Sequence, residues 1–207
     1  MSKKDAKKKS VLREYGEAII VAVILALLVR TFLVQPFKIP TGSMEPTLLI
    51  GDHILVNKFK YGFRVPFLDK RILDFSEPKR GDVVVFRYPL DESKDFIKRV
   101  IGIENDVIKI IDKTVYVNGE VYDDGHSTND DQHTFPKEFQ PRDNFGPVVV
   151  PHKALFVMGD NRDKSYDSRY WGFVDISKLK GKAFLIYWSW NRDKHWVRLK
   201  RLGNIID

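Results

Sequence analysis

The chain has 207 residues, enough for one ordinary domain with a small insert and an anchor. It has no cysteine, which excludes disulfides, thiolate zinc sites and a cysteine nucleophile together. The formal charge of +7 invites a nucleic-acid reading, but much of the excess sits in residues 1–14, where Lys3, Lys4, Lys7, Lys8, Lys9 and Arg13 face only Asp5 and Glu14. A basic tail of that kind suits the inner end of a membrane segment, and no nucleic-acid partner is expected.

Residues 18–29 follow as an unbroken apolar run, then Arg30, Thr31 and the apolar residues 32–34. Twelve apolar residues are too few to cross a bilayer, which takes roughly 20. Residues 15–34 supply that length provided Arg30 snorkels to the outer headgroups. A cleaved secretory signal has a similar charged start, but nothing like Ala-x-Ala follows the run, so an uncleaved transmembrane anchor over residues 15–35 is expected. With the basic residues 1–14 as a cytoplasmic tail, everything beyond the anchor lies outside the cytoplasm.

Beyond the anchor the chain reads as short strands rich in β-branched and aromatic residues, at 53–59, 82–88, 96–103, 106–111, 114–117, 120–122, 147–150, 154–158 and 183–188. Asn118-Gly119 between two of them signals a type I′ hairpin, in which both central residues take positive φ. No segment beyond the anchor has a long helical period, so the rest is expected to be mainly antiparallel β. Residues 61–80 mix Gly62, Pro66 and Pro78 with charges and read as a surface excursion. Residues 123–144 are polar and turn-rich. The expected layout is a β-rich domain over 36–111 and 154–207, with 112–153 as a small inserted β subdomain.

Two segments carry chemistry. Ser43 lies in Ile39-Pro-Thr-Gly-Ser-Met-Glu-Pro-Thr-Leu48, and Lys98 lies in Asp95-Phe-Ile-Lys-Arg-Val-Ile-Gly102. A serine hydroxyl needs a base, and a lysine serves only when its surroundings keep it neutral. A free amine titrates near a pKa of roughly 10.4, and burial lowers that by up to ~3–5 units. In a strand Phe96, Lys98 and Val100 share one face while Ile97, Arg99 and Ile101 share the other. The plain alternatives are a solvent-facing strand lysine and a turn serine beside Gly42, whose freedom from a Cβ suits a close approach by another chain. Glu45 reads as a solvated turn charge. His53, His126, His133, His152 and His195 lack metal-ligand spacing, although His53 leaves a Ser-His arrangement open. Trp188, Trp190 and Trp196 among basic residues read either as a membrane-interface patch or as a half-solvated strand face.

The Ser43 and Lys98 segments, with a third stretch Gly159-Asp-Asn-Arg-Asp-Lys-Ser-Tyr-Asp-Ser-Arg-Tyr-Trp-Gly172, resemble the motifs of bacterial type I signal peptidases, the Ser/Lys-dyad leader peptidase family. The resemblance covers residues 36–102 and 159–174 well and the insert poorly. It implies an antiparallel β-sheet catalytic domain of the signal-peptidase type with one N-terminal transmembrane helix, single-pass in the bacterial cytoplasmic membrane, its active domain on the outer face. The implied activity is hydrolysis of N-terminal signal peptides of exported preproteins after small residues at −3 and −1. Ser43 is then the nucleophile and Lys98 the base; Thr41 holds the position of an oxyanion hydroxyl, where many members have Ser, and Ser165 that of the serine orienting the lysine. Arg99, Asp160, Asp167 and Arg169 match the charged framework near the site. Phe37, Ile39, Pro40, Met44, Leu48, Ile54, Val85, Phe96 and Ile97 match the walls of the substrate pockets. No metal or organic cofactor is implied; the implied partners are signal peptides, the lipid bilayer and the secretion translocon. A self-cleaving repressor of related fold would carry a helix-turn-helix where this chain has its apolar run, and a catalytically dead binding module would have lost Ser43 or Lys98.

Overall fold

The computed structural model describes residues 11–64, 71–73 and 76–207; residues 1–10 of the basic tail expected at 1–14 lie outside these, as do residues 65–70 and 74–75 of the excursion expected at 61–80. A helix α1 (Val11–Phe32) leads into β1 (Val34–Lys38), β2 (Asp52–Asn57), a β3 (Phe63–Arg64) and β4 (Arg71–Leu73) pair, β5 (Val83–Tyr88) and β6 (Asp91–Gly102). Then come β7 (Val107–Ile111), β8 (Thr114–Val117), β9 (Glu120–Val121), β10 (Phe145–Val149), β11 (Ala154–Met158), the one-turn α2 (Ser168–Trp171), β12 (Val174–Asp175), β13 (Leu179–Asn191) and β14 (Trp196–Val197). The mainly antiparallel β reading holds. Among the described residues no helix is long and apolar enough to cross a membrane.

The main sheet runs β1-β2-β13-β5-β6-β11-β12, with β14 added to β13. β13 is the long central strand, and it bends through register shifts along its pairings with β2 and β5. The small sheet runs β10-β7-β8-β9 and begins at Val107, so β7, expected in the main domain, pairs with strands of the segment expected as the insert. The reason is pairing: Ile108, Ile110 and Ile111 of β7 face Val117, Val115 and Thr114 across a tight turn, whose residues Asp112 (φ 45°) and Lys113 (φ 69°) are both left-handed. The expected turn at Asn118 (φ 55°) and Gly119 (φ 88°) has the same form, between Val117 and Glu120. Pro147 sits in edge strand β10 at a register irregularity, where no ladder hydrogen bond is lost.

Three apolar clusters hold this together. One lies under the Ser43 loop (Ile39, Met44, Leu48, Ile54, Val85, Ile186); a second joins β5, β6 and β11 to α2 (Phe86, Val100, Val157, Trp171). The third joins the two sheets (Ile101, Ile108, Val115, Phe156). Alternation along β6 therefore works as its sequence implies, with Phe96 and Val100 in one cluster and Ile97 in another.

Candidate active site

Ser43 lies in the loop between β1 and β2, and both of its flanks are fixed by burial. Met44 and Leu48 are fully buried, and the Leu48 amide donates to the Met44 carbonyl at 2.8 Å. At the far end Asp52 accepts the Leu49 amide, the Ser189 hydroxyl and the Arg201 guanidinium, which also reaches the Thr47 carbonyl at 2.7 Å. A nucleophile that must meet a distant partner needs a backbone with little freedom, and these contacts supply it.

Lys98 comes from β6, whose register sets it opposite Val84. Its Nζ lies 2.6 Å from Ser43 Oγ, joining two residues that the sequence separates by 55 positions. The side chain is 4% exposed, and 6.0 Å separates the amine from the Phe96 ring centre. Burial pulls the Lys98 amine down to about 8; Asp167 and Asp160 oppose that effect and Arg169 assists it. The assisting cation is thus Arg169. Arg99, which leaves the strand on the opposite face, pairs bidentately with Asp160 at 2.8 Å for both contacts.

The third motif wraps behind the dyad. Asp167 is fully buried, which alone would raise its carboxyl, but the charge and paired hydrogen bonds of Arg169 hold it below the ordinary range. Arg169 in turn donates to the carbonyls of Arg142 and Arg162 at 2.7 and 2.6 Å. Ser165 is buried here, but its hydroxyl is directed elsewhere than its motif suggests: it accepts the Gly159 amide at 3.1 Å and shares a hydrogen bond with Asp167. Contact with the lysine amine is made by Ser43 instead.

Gly159 is a site residue that sequence reasoning passed over. A Cβ there would lie 2.2 Å from the Ser43 carbonyl oxygen and 2.4 Å from Ser165 Oγ, both held in place. At Gly42, by contrast, the backbone is outside the left-handed region and a Cβ meets only the end of the flexible Glu45 side chain, at 2.9 Å. Gly159→Ala is therefore expected to lower kcat by about 100-fold, the cost of displacing a nucleophile by an ångström, while Gly42→Ala stays within a few-fold of the native enzyme. Steady-state kinetics on both variants check this; equal losses would refute the packing argument.

A cleft of about 250 Å3 opens on the dyad, lined by Pro40, Thr41, Ser43, Asp95, Phe96, Ile97, Lys98, Lys164 and Tyr166. Of the expected pocket walls, Pro40, Phe96 and Ile97 face this cleft. Ile39, Met44, Leu48, Ile54 and Val85 are buried in the cluster beneath it, against which the partly buried Phe37 packs. Asp95, Lys164 and Tyr166 were not legible as cleft residues, since neither an exposed strand position nor a polar loop announces which side chains border a cleft. Phe96 is backed by Tyr88, stacked at 4.3 Å, and Tyr88 shares a hydrogen bond with Tyr166.

The arrangement fits acyl transfer by an activated serine: a hydroxyl within hydrogen-bond reach of a buried amine whose pKa is lowered to about 8. Because the amine works only when neutral, kcat/KM is expected to rise with pH and level off above about 8. Below that value each pH unit should remove about tenfold. Phe96→Ala admits water to the amine and should move this limb upward; a flat profile between about pH 6 and 9 would show that another group is the base.

Comparison with known proteins gives one family. The model of the signal peptidase family, peptidase S26, matches residues 12–188. The chain is similar to a signal peptidase I of Pseudomonas fluorescens, 40% identical over 96% of this chain and 81% of that protein. A signal peptidase I of Rickettsia typhi is 30% identical over 99% of this chain and 97% of its own length. A solved signal peptidase I from Enterococcus faecalis overlies it with a TM-score of 0.42 and 29% identity, over 52% of this chain and 97% of that one. The half-buried Ser43 and the buried Lys98 therefore sit in a chain that belongs to the signal peptidase family, peptidase S26, and is a serine peptidase.

Proposed function

We propose that this chain is a membrane-bound endopeptidase that removes N-terminal signal peptides from exported preproteins by a Ser43/Lys98 dyad. The observation that carries the reading is the 2.6 Å contact between the Ser43 hydroxyl and a buried amine whose pKa falls to about 8. Neutral Lys98 takes the hydroxyl proton as Oγ adds to the scissile carbonyl. The developing oxyanion is held by the Ser43 amide and the Thr41 hydroxyl, which lies on the cleft. The lysine ammonium then gives its proton to the departing amine, leaving an acyl-enzyme. Lys98, neutral again, activates water to release it. Asp160, Asp167, Arg99 and Arg169 hold the frame, and Ser165 acts on the dyad through Gly159 and Asp167.

An extended substrate fits the edge of β6. β11 pairs with β6 from Arg99 to Gly102, so the stretch from Asp95 to Ile97 beside the dyad carries only its β5 partner among the described strands. A peptide added there alternates its side chains, and the walls at Pro40, Phe96 and Ile97 leave room for small groups at −1 and −3.

The membrane reading rests on the apolar run at 18–29 with its basic flank, on the helical conformation of Val11–Phe32, and on exposed Ile19, Ile20, Val23, Ile24 and Leu27 along that helix. It gives a single pass in the bacterial cytoplasmic membrane, N-terminus inside, with the catalytic domain on the outer face near the secretion translocon. Exposed Trp188, Trp190 and Trp196, near Arg192 and Lys194, favour a bilayer-facing surface.

Detergent-solubilised protein is expected to cut a preprotein bearing an Ala-x-Ala site directly after it, as read by N-terminal sequencing of the product. An intact preprotein, or unchanged cutting by Ser43→Ala, would overturn the reading. In right-side-out spheroplasts a tag after Asp207 should be open to external protease; protection would reverse the orientation.

A further inference from the structure

The insert sends one segment back across the active-site loop, from Asp124 to Asp131. Thr128 forms a parallel bridge with Asn161: its amide donates to the Asp160 carbonyl at 2.8 Å, and its own carbonyl accepts the Arg162 amide at 2.9 Å. Side chains double this backbone seam. Asp130 accepts Asn161 Nδ2 at 3.0 Å and Lys164 Nζ at 2.5 Å, and buried Asp124 accepts Arg162 Nη2 at 2.7 Å. Beyond them the Asp131 amide donates to Asp163 at 2.7 Å.

What the seam holds is the backbone behind the nucleophile. The Asn161 amide donates to the Ser43 carbonyl at 3.2 Å, and Arg162 Nε donates to the Gly159 carbonyl at 3.1 Å, beside the point where Gly159 packs on that same Ser43 carbonyl. Residues 159–164 are thus a short loop gripped on one side by the insert and bonded on the other to Ser43. Loops of this kind are free to shift by fractions of an ångström unless both sides are fixed, and acyl transfer is sensitive to such shifts.

We propose that Thr128 and Asp130 are positioning residues for the dyad, acting through Asn161 on the Ser43 backbone, so that the insert is part of the catalytic apparatus. The inference rests on the Ser43/Lys98 reading above. Asp130 also touches Lys164, which overhangs the cleft, so the two routes must be separated.

The test uses full-length protein in detergent with an Ala-x-Ala preprotein, comparing kcat, KM and thermal midpoint. Asp130→Ala is expected to lower kcat about tenfold with KM little changed, the loss appropriate to a sub-ångström displacement. Its midpoint should hardly move, because the side chain is partly solvated. Asp130→Asn keeps an oxygen acceptor for Asn161 and should restore most of the rate. Asn161→Ala should lower kcat similarly, and the double variant should be no worse than the poorer single one, as for residues acting in series. Lys164→Ala should change KM more than kcat. Native kcat in Asp130→Ala, losses that simply add in the double variant, or a Lys164→Ala enzyme with the same kcat loss would each overturn the proposal. A native enzyme that fails to cut at all would instead overturn the dyad reading, which keeps the two failures apart.

Discussion

Ser43→Ala, Lys98→Ala and Lys98→Met are each expected to lower preprotein processing by about 10^5-fold or more, because nucleophile and base act as a unit and losing either costs nearly as much as losing both. Lys98→Arg should be equally inactive, since a guanidinium keeps its proton throughout the working range. The methionine variant carries a second expectation. The native amine titrates at about 8 when folded against 10.5 ordinarily, so the unfolded chain binds the proton more tightly. Native stability therefore gains as pH rises from 8 towards 10.5, and below 8 the buried ammonium carries its full penalty. Lys98→Met removes that penalty, worth at most about 3 kcal/mol, and should be more stable than the native protein near pH 6, the gap narrowing as pH rises. Urea denaturation at two pH values reads it; a methionine variant that is less stable at the lower one would show that the amine is not buried as a strained base.

Breaking the Arg99–Asp160 pair is expected to have the largest effect on the fold. Both side chains are buried, and Arg99 also donates to the Gly81 and Asp207 carbonyls at 2.8 and 2.5 Å, so Arg99→Met takes this donor from a carboxylate and two carbonyls. Stranding one buried charge costs about 3–5 kcal/mol, a large share of a typical stability of about 5–15 kcal/mol. At roughly 2–4 °C per kcal/mol the thermal midpoint should fall by about 10 °C. Arg99→Met with Asp160→Leu should recover much of this, because two apolar groups leave no orphan charge. Its kcat should remain low, since Arg99 adjoins Lys98, Asp160 adjoins Gly159, and their pairing ties the base strand to the loop behind Ser43. A double variant with native kcat would make the pair a matter of stability alone.

By itself, the sequence determined the class of fold and singled out the two side chains, Ser43 and Lys98, that the proposed mechanism uses. Ser43 and Lys98 stand in long local segments, and β-branched runs punctuated by turn residues dictate short antiparallel strands, because strand alternation and turn conformation are properties of neighbours in the chain. The Asn118-Gly119 turn was legible for the same reason, whereas the Asp112-Lys113 turn was not, because lysine is not a residue that favours positive φ and nothing local in the sequence marks the turn. The pairing of β7 with β8 puts β7, from Val107, in the small sheet. Only the tertiary structure decided which pocket candidates face the cleft, since Met44 and Phe96 are equally apolar and differ only in what packs over them. It likewise decided that Arg169 is the cation acting on Lys98, that the Ser165 hydroxyl turns to Gly159 and Asp167, and that Thr128 and Asp130 return to the active-site loop. Burial, through-space charge and the grip of one loop on another depend on distances between segments remote in sequence, and those distances exist only once the two sheets have packed.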